Sequence, residues 1–94
     1  MKVLRKVLGF EWDEGNKDKN LRKHEVTDEE CEEIFFDAEK TLLKDVLHSK
    51  KEARYIVLGK TKKGRLLFVI FTIRKDKARI ISARDLNKKE RSLL

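Results

Sequence analysis

The stretch RYIVLGKTKKGRLLFVIFTIRKDKARIISAR, residues 54–84, decides the fold. Three runs rich in Val, Ile, Leu, Phe and Thr are separated by two short polar breaks, Lys62-Lys63-Gly64 and the K-D-K-A segment at residues 75–78. That pattern describes a β-meander. The middle run is almost continuously apolar from Leu66 to Ile73. A strand without alternation is covered on both faces, so this run belongs at the centre of the sheet. Lys62-Lys63-Gly64 fits a three-residue hairpin loop with Gly64 at the left-handed position of a bulge. Thr61 then pairs with Arg65, Val57 with Val69 and Tyr55 with Phe71. Arg54, Arg65, Arg74, Arg79 and Arg84 punctuate the three runs. Pairing of Arg74 with Lys77 or Arg79 across the second turn puts Arg74 and Arg79 on one face. Arg65 and Arg84, at the other strand ends, are expected to share a face only if a bulge shifts the second hairpin, because a one-residue slip turns a side chain over.

Before the meander, Thr41 to Leu47 alternates as a strand does and leads through His48-Ser49-Lys50-Lys51 into the first run. Thr27-Asp28-Glu29-Glu30 is a capping box that starts a helix reaching about Phe36, with Cys31, Ile34, Phe35 and Ala38 as its buried stripe. Leu8 to Trp12 reads as a first strand, Phe10 and Trp12 alternating around Glu11. Asp13 caps a poor helix over about Glu14 to His24, in which Gly15 costs about 1 kcal/mol relative to alanine and Leu21 is the one clear apolar anchor. Asn87 to Leu94 forms a short terminal helix, Asn87 at its cap and Glu90 at the capping-box position. The order β-α-α-β-β-β-β-α is an α+β fold with helices packed on a largely antiparallel sheet.

Ninety-four residues, 39% hydrophobic and 44% charged, are expected to make a single domain over 1–94; there is no proline, no apolar run long enough for a membrane span and no apolar block of a secretory signal, so the expected location is the cytoplasm. Cys31 is the only cysteine, so no internal disulfide forms, and its helical spacing marks a buried thiol. Charge is divided unevenly. Residues 1–49 hold 9 Lys/Arg and 13 Asp/Glu, a net −4, whereas residues 50–94 hold 15 and 4, a net +11, giving +7 in all. One surface therefore attracts a polyanion. A lysine-rich run is most simply a solvated face, but arginines at strand ends fit phosphate oxygens through their planar forks. The eight carboxylates from Glu25 to Glu39 are either a solvated helix face or a surface that repels nucleic acid.

Nothing matches zinc spacing, a G-x-G-x-x-G loop or a Walker loop, so neither a metal nor a nucleotide cofactor is expected. His24 suits proton transfer near neutrality, or equally caps the last carbonyls of its helix. Phe10-Glu11-Trp12-Asp13, Asn20, Lys23-His24, Val26, Glu30 and Phe35, continued by Asp45, His48-Ser49, Glu52, Arg54-Tyr55-Ile56, Leu58-Gly59, Gly64-Arg65, Thr72, Arg74, R-I-I-S-A-R at residues 79–84 and Glu90-Arg91, resemble the BrnT toxins of bacterial type II toxin–antitoxin systems. The likeness spans about residues 8–92, leaving residues 1–7 as an extension.

The resemblance implies a RelE-like ribonuclease fold and metal-independent cleavage of RNA that halts translation, by attack of a ribose 2′-hydroxyl on the adjacent phosphate. It implies a BrnA-type antitoxin as partner, with operator DNA bound only through that antitoxin, no membrane, and assembly as a dimer or a heterotetramer with the antitoxin. Carried onto this chain, Arg65 and Arg84 become the phosphate-stabilising pair. His24 becomes the leading acid–base group, with Glu52 and His48 behind it, and Arg54, Arg74, Arg79 and Lys23 bind RNA. Glu25 departs from the family by replacing the glycine after the histidine, which disfavours a left-handed helix end. The segment Arg91-Ser92-Leu93-Leu94 carries no aromatic residue where many relatives have one, which puts a tyrosine-dependent mechanism in doubt for this chain. The alternatives are a non-catalytic nucleic-acid-binding module, which needs the same basic sheet without a proton carrier, and a structural subunit with no RNA affinity.

Overall fold

The computed structural model describes Val7 and residues 9–12, 24–45 and 52–94. Five strands form one sheet: β1 (Gly9–Glu11), β2 (Thr41–Lys44), β3 (Arg54–Lys60), β4 (Leu66–Arg74) and β5 (Lys77–Asp85), in the spatial order β1-β5-β4-β3-β2. β4 is central, as its continuous apolar run requires. β1 runs parallel to β5, and the other pairings are antiparallel. The first hairpin has the register set by its turn: Val57 opposite Val69, Tyr55 opposite Phe71, and Thr61 donating its amide to the Arg65 carbonyl at 2.8 Å. Gly64 holds φ of 90°, where any side chain would be strained.

The second hairpin takes the tighter of the two expected pairings, with Arg74 opposite Lys77 across Lys75-Asp76. It contains a bulge. Ile70 pairs with Ser82 but Phe71 pairs with Ile80, so Ile81 is the extra residue on β5. This bulge acts opposite to the sequence expectation. Uninterrupted pairing would set Arg84 beside Leu67, on the face Arg65 uses; the bulge sets Arg84 opposite Phe68, on the other face.

Helix α1 (Asp28–Glu33) packs on one face of the sheet and continues as a 3-10 turn over Ile34–Phe36. Its capping box is complete, Glu30 N donating to Thr27 Oγ1 at 3.1 Å and Thr27 N to Glu30 Oε1 at 3.0 Å. Val26, Cys31, Ile34 and Phe35 bury against Val57, Leu67, Val69, Phe71, Ala78, Ile80 and Ala83. A chain of aromatic contacts runs from Phe10 through Phe35 and Phe71 to Tyr55, with centroids 4.9–5.6 Å apart. Burial, reinforced by the nearby Asp28, Glu30 and Glu32, pushes the Cys31 thiol up to about 12, so it is protonated and inert at neutral pH. Ala38 is exposed, because the chain leaves the helix before reaching it.

The carboxylates of α1 and of the turn after it are neither a bare solvated face nor merely a repelling one. Glu32 accepts from the Trp12 indole at 2.9 Å, Glu33 from the Lys62 amide at 3.0 Å and Asp37 from the Lys60 amide at 2.8 Å. They tie β1 and the β3–β4 hairpin to the helix layer. The terminal helix expected over 87–94 is a 3-10 turn at Glu90–Leu93, yet its cap is as read: Glu90 N donates to Asn87 Oδ1 at 2.8 Å and Asn87 N to Glu90 Oε1 at 3.0 Å. The helix expected over 14–24 lies outside the described residues except for His24, and the strand expected from Thr41 to Leu47 is described only to Asp45. Among the described residues no helix is long and apolar enough to cross a membrane.

Candidate nucleic-acid interface

The face of the sheet turned away from α1 is built in cross-strand rows, since side chains alternate and paired residues point the same way. Thr41, Leu58, Phe68 and Arg84 form one row. Leu43, Ile56, Ile70 and Ser82 form the next. Arg54, Thr72 and Arg79 follow, with Glu11 of β1 beside Arg79. Arg74 and Lys77 close the series at the second turn. Successive rows are about 7 Å apart, two residues along a strand.

At the second-turn end, Glu52, Arg54, Thr72, Arg74, Arg79 and Ile81 line a cleft of about 210 Å³. Thr72 Oγ1 donates to the Ala53 carbonyl at 2.8 Å, fixing the segment that presents Glu52. Arg74 Nε donates to Glu52 Oε2 at 3.0 Å. That bond, helped by Thr72 and by the charge of Arg79, holds the Glu52 carboxyl below the usual carboxylate range. Three arginines and one ionised carboxylate lining one concavity give a site that can take a phosphate and still hold a proton acceptor beside it. The bulge helps to shape this cleft by placing Ile81 in its wall.

The structure brings Arg65 next to His24 but sets Arg84 on the opposite face of the sheet. Arg65 lies on the helix side. Its Nε and Nη2 grip Asp85 at 2.7 and 3.0 Å, Nη1 donates to the Glu25 carbonyl at 2.7 Å, and Nη2 also donates to the His24 carbonyl at 3.0 Å. Arg65 thus takes the helix-end carbonyls that the His24 side chain was expected to cap. Glu25 adopts the left-handed conformation, φ 56°, in spite of its side chain. The Arg65 guanidinium holds the Asp85 carboxyl below its ordinary range.

Arg84 lies on the open face, its guanidinium carbon 4.0 Å from the centre of the Phe68 ring. It makes a two-pronged pair with Glu90 at 2.8 and 2.7 Å, which lowers the Glu90 carboxyl. The segment after β5 therefore crosses the open face over the row of Arg84, Phe68, Leu58 and Thr41. Glu90 anchors it above Arg84, Thr41 Oγ1 donates to the Leu93 carbonyl at 2.9 Å, and Leu58 between them is fully buried. Asn87 and Glu90 announced the cap of this strap, read as the start of a short helix, but nothing in its sequence said where it would lie. Lys23 and His48 fall outside the described residues. Among the described residues, no group of three or more His, Cys, Asp or Glu could hold a metal ion.

The fold and the cleft together define a small α+β protein with an arginine-lined concavity on one sheet face, a surface whose cations fit phosphate oxygens. Residues 12–90 match the model of the ribonuclease toxin, BrnT, of type II toxin–antitoxin systems, and the chain belongs to that family. Among solved structures, the 1.1 Å crystal structure of the Brucella abortus ribonuclease toxin BrnT is similar, with a TM-score of 0.65 and 20% identity. The match covers 87% of this chain and 100% of that one, and it shows a shared fold. A search of the curated proteins found no match.

Proposed function

We propose that this chain is the toxin of a type II toxin–antitoxin pair, a RelE-like endoribonuclease that cleaves RNA in the cytoplasm at the Glu52/Arg54/Arg74/Arg79 cleft. The observation that carries this reading is that three arginines and one carboxylate residue, Arg54, Arg74, Arg79 and Glu52, line a single concavity. The 2′-hydroxyl gives its proton to Glu52 and its oxygen attacks the adjacent phosphorus. Charge gathers on the phosphorane oxygens, where Arg54, Arg74 and Arg79 stabilise it; a guanidinium stays charged throughout. The bond to the 5′-oxygen then breaks, leaving a 2′,3′-cyclic phosphate and a 5′-hydroxyl. The leaving oxygen takes up a proton, for which His48, four residues before Glu52 in the chain, is the candidate. Entry of a phosphate draws Arg74 from Glu52, which raises the basicity of the carboxylate when it must accept a proton.

In this reading Arg65 and Arg84 shape the surroundings: Arg65 clamps a helix end and Arg84 anchors the strap. A BrnA-type antitoxin would neutralise the toxin by covering the basic cleft, with a stable complex burying about 800 Å² or more on each partner. The test is a defined RNA incubated with the purified chain in EDTA, with product ends mapped. Cyclic phosphate ends support the reading. An RNA that binds and stays intact for hours supports the non-catalytic module instead.

A further inference from the structure

We infer that the open face carries a subsite for a single nucleobase, next to the phosphate cleft. The inference rests on the proposed function and adds where a base of the bound RNA lies. The row Leu43–Ile56–Ile70–Ser82 stands between the Arg54–Thr72–Arg79 row and the row covered by the strap. Ile56, Ile70 and Ser82 are half-buried and Leu43 is 37% exposed. On a chain that is 44% charged, this strip presents only apolar groups and one hydroxyl to solvent.

Its borders decide what it can hold. The strap is fixed by Glu90 on Arg84 and by Thr41 on Leu93, so it forms a wall on one side. Guanidiniums stand on the other. One row is about 7 Å wide, room for one base laid flat and not for two. A flat apolar floor matches the face of a base of either size, and the Ser82 hydroxyl can donate to or accept from a base edge. The neighbouring arginines hold the linked phosphate, which an apolar ligand without a phosphate would leave unmatched. The strip is far smaller than the roughly 800 Å² per partner that a stable protein interface needs, so a protein partner would have to reach well beyond it.

The test uses the full chain with isoleucine methyls labelled for NMR and two probes: inorganic phosphate and a non-cleavable 2′-deoxy dinucleotide. Both are expected to shift amides of Arg54 and Arg79, and the dinucleotide alone to shift the Ile56 and Ile70 methyls. Ile70→Thr, which keeps β-branching, should weaken the dinucleotide about tenfold and leave phosphate binding unchanged, with unchanged circular dichroism showing that the fold persists. Dinucleotide shifts confined to the cleft, equal weakening of both probes by Ile70→Thr, or no binding of either probe would overturn the subsite. RNA cleavage with silent isoleucine methyls would remove the subsite and keep the nuclease. Dinucleotide on the strip with RNA left intact would do the reverse.

Discussion

Replacing Arg65 separates the clamp from a catalytic role. The Arg65 side chain is 28% exposed and Asp85 is 60% exposed, so their ion pair, well formed as it is, sits largely in water and contributes under about 1 kcal/mol. The bonds to the His24 and Glu25 carbonyls are of a different kind. They are charge-assisted, at 3.0 and 2.7 Å, and each contributes about 1 kcal/mol after allowance for the water those carbonyls regain. Glu30, at 3.5 Å, adds little. Arg65→Met should therefore cost about 2–3 kcal/mol. For a domain of this size that lowers Tm by roughly 10–20 °C. Arg65→Lys, which keeps charge but loses the fork, should fall between. Thermal melts followed by circular dichroism read this directly, and cleavage measured well below the lowered Tm should persist. If Arg65→Met melts within about 2 °C of the parent and cuts no RNA, Arg65 is chemistry and the clamp is wrong.

Glu25→Gly should raise stability by about 1 kcal/mol, because φ of 56° is strained for glutamate and free for glycine; urea titration at equal m-value checks it. Gly59→Ala should destabilise by about 1–3 kcal/mol, since the added Cβ would lie 3.0 Å from Ile34 Cβ and 3.1 Å from the Ile34 carbonyl. Asp85, Glu90, Glu52 and Asp37 all have carboxyls below their unfolded range in the folded chain, through Arg65, Arg84, Arg74 and the Glu39 amide respectively. Their stabilisation is complete above the unfolded carboxylate pKa of about 4 and is lost as pH falls through the lower folded values. Tm should hold from pH 7 to about 5 and decline below 4. A Tm that rises on acidification below 4 would contradict these pairings.

Gly64 and the polar break around it determine the first hairpin's register, because a three-residue loop with one left-handed position has few solutions. Thr27 with Glu30, and Asn87 with Glu90, identify their caps because both partners of each exchange lie within one turn. The bulge at Ile81 left no such mark. Ile80 and Ile81 are both apolar, so either parity buries an isoleucine equally well, and the face of Arg84 depends on which is chosen. The partners of Arg65 were hidden for a related reason. Its fork fits carbonyls and carboxylates as well as phosphate, and only the approach of Glu25 and Asp85 in space selects the former. Arg74 and Arg79 were legible as neighbours because the second turn sets their strands side by side, whereas Arg54 and Glu52 were joined to them only through the family resemblance.

The most direct test is the rate at which Glu52→Gln cuts a fluorogenic RNA. The side chain is 41% exposed, so the variant should fold with little change in Tm. The account predicts a loss of roughly a hundredfold or more in cleavage at pH 7, with RNA binding kept. A folded Glu52→Gln chain that cuts at the parent rate would show that the proton is taken elsewhere and that the cleft is not the active site.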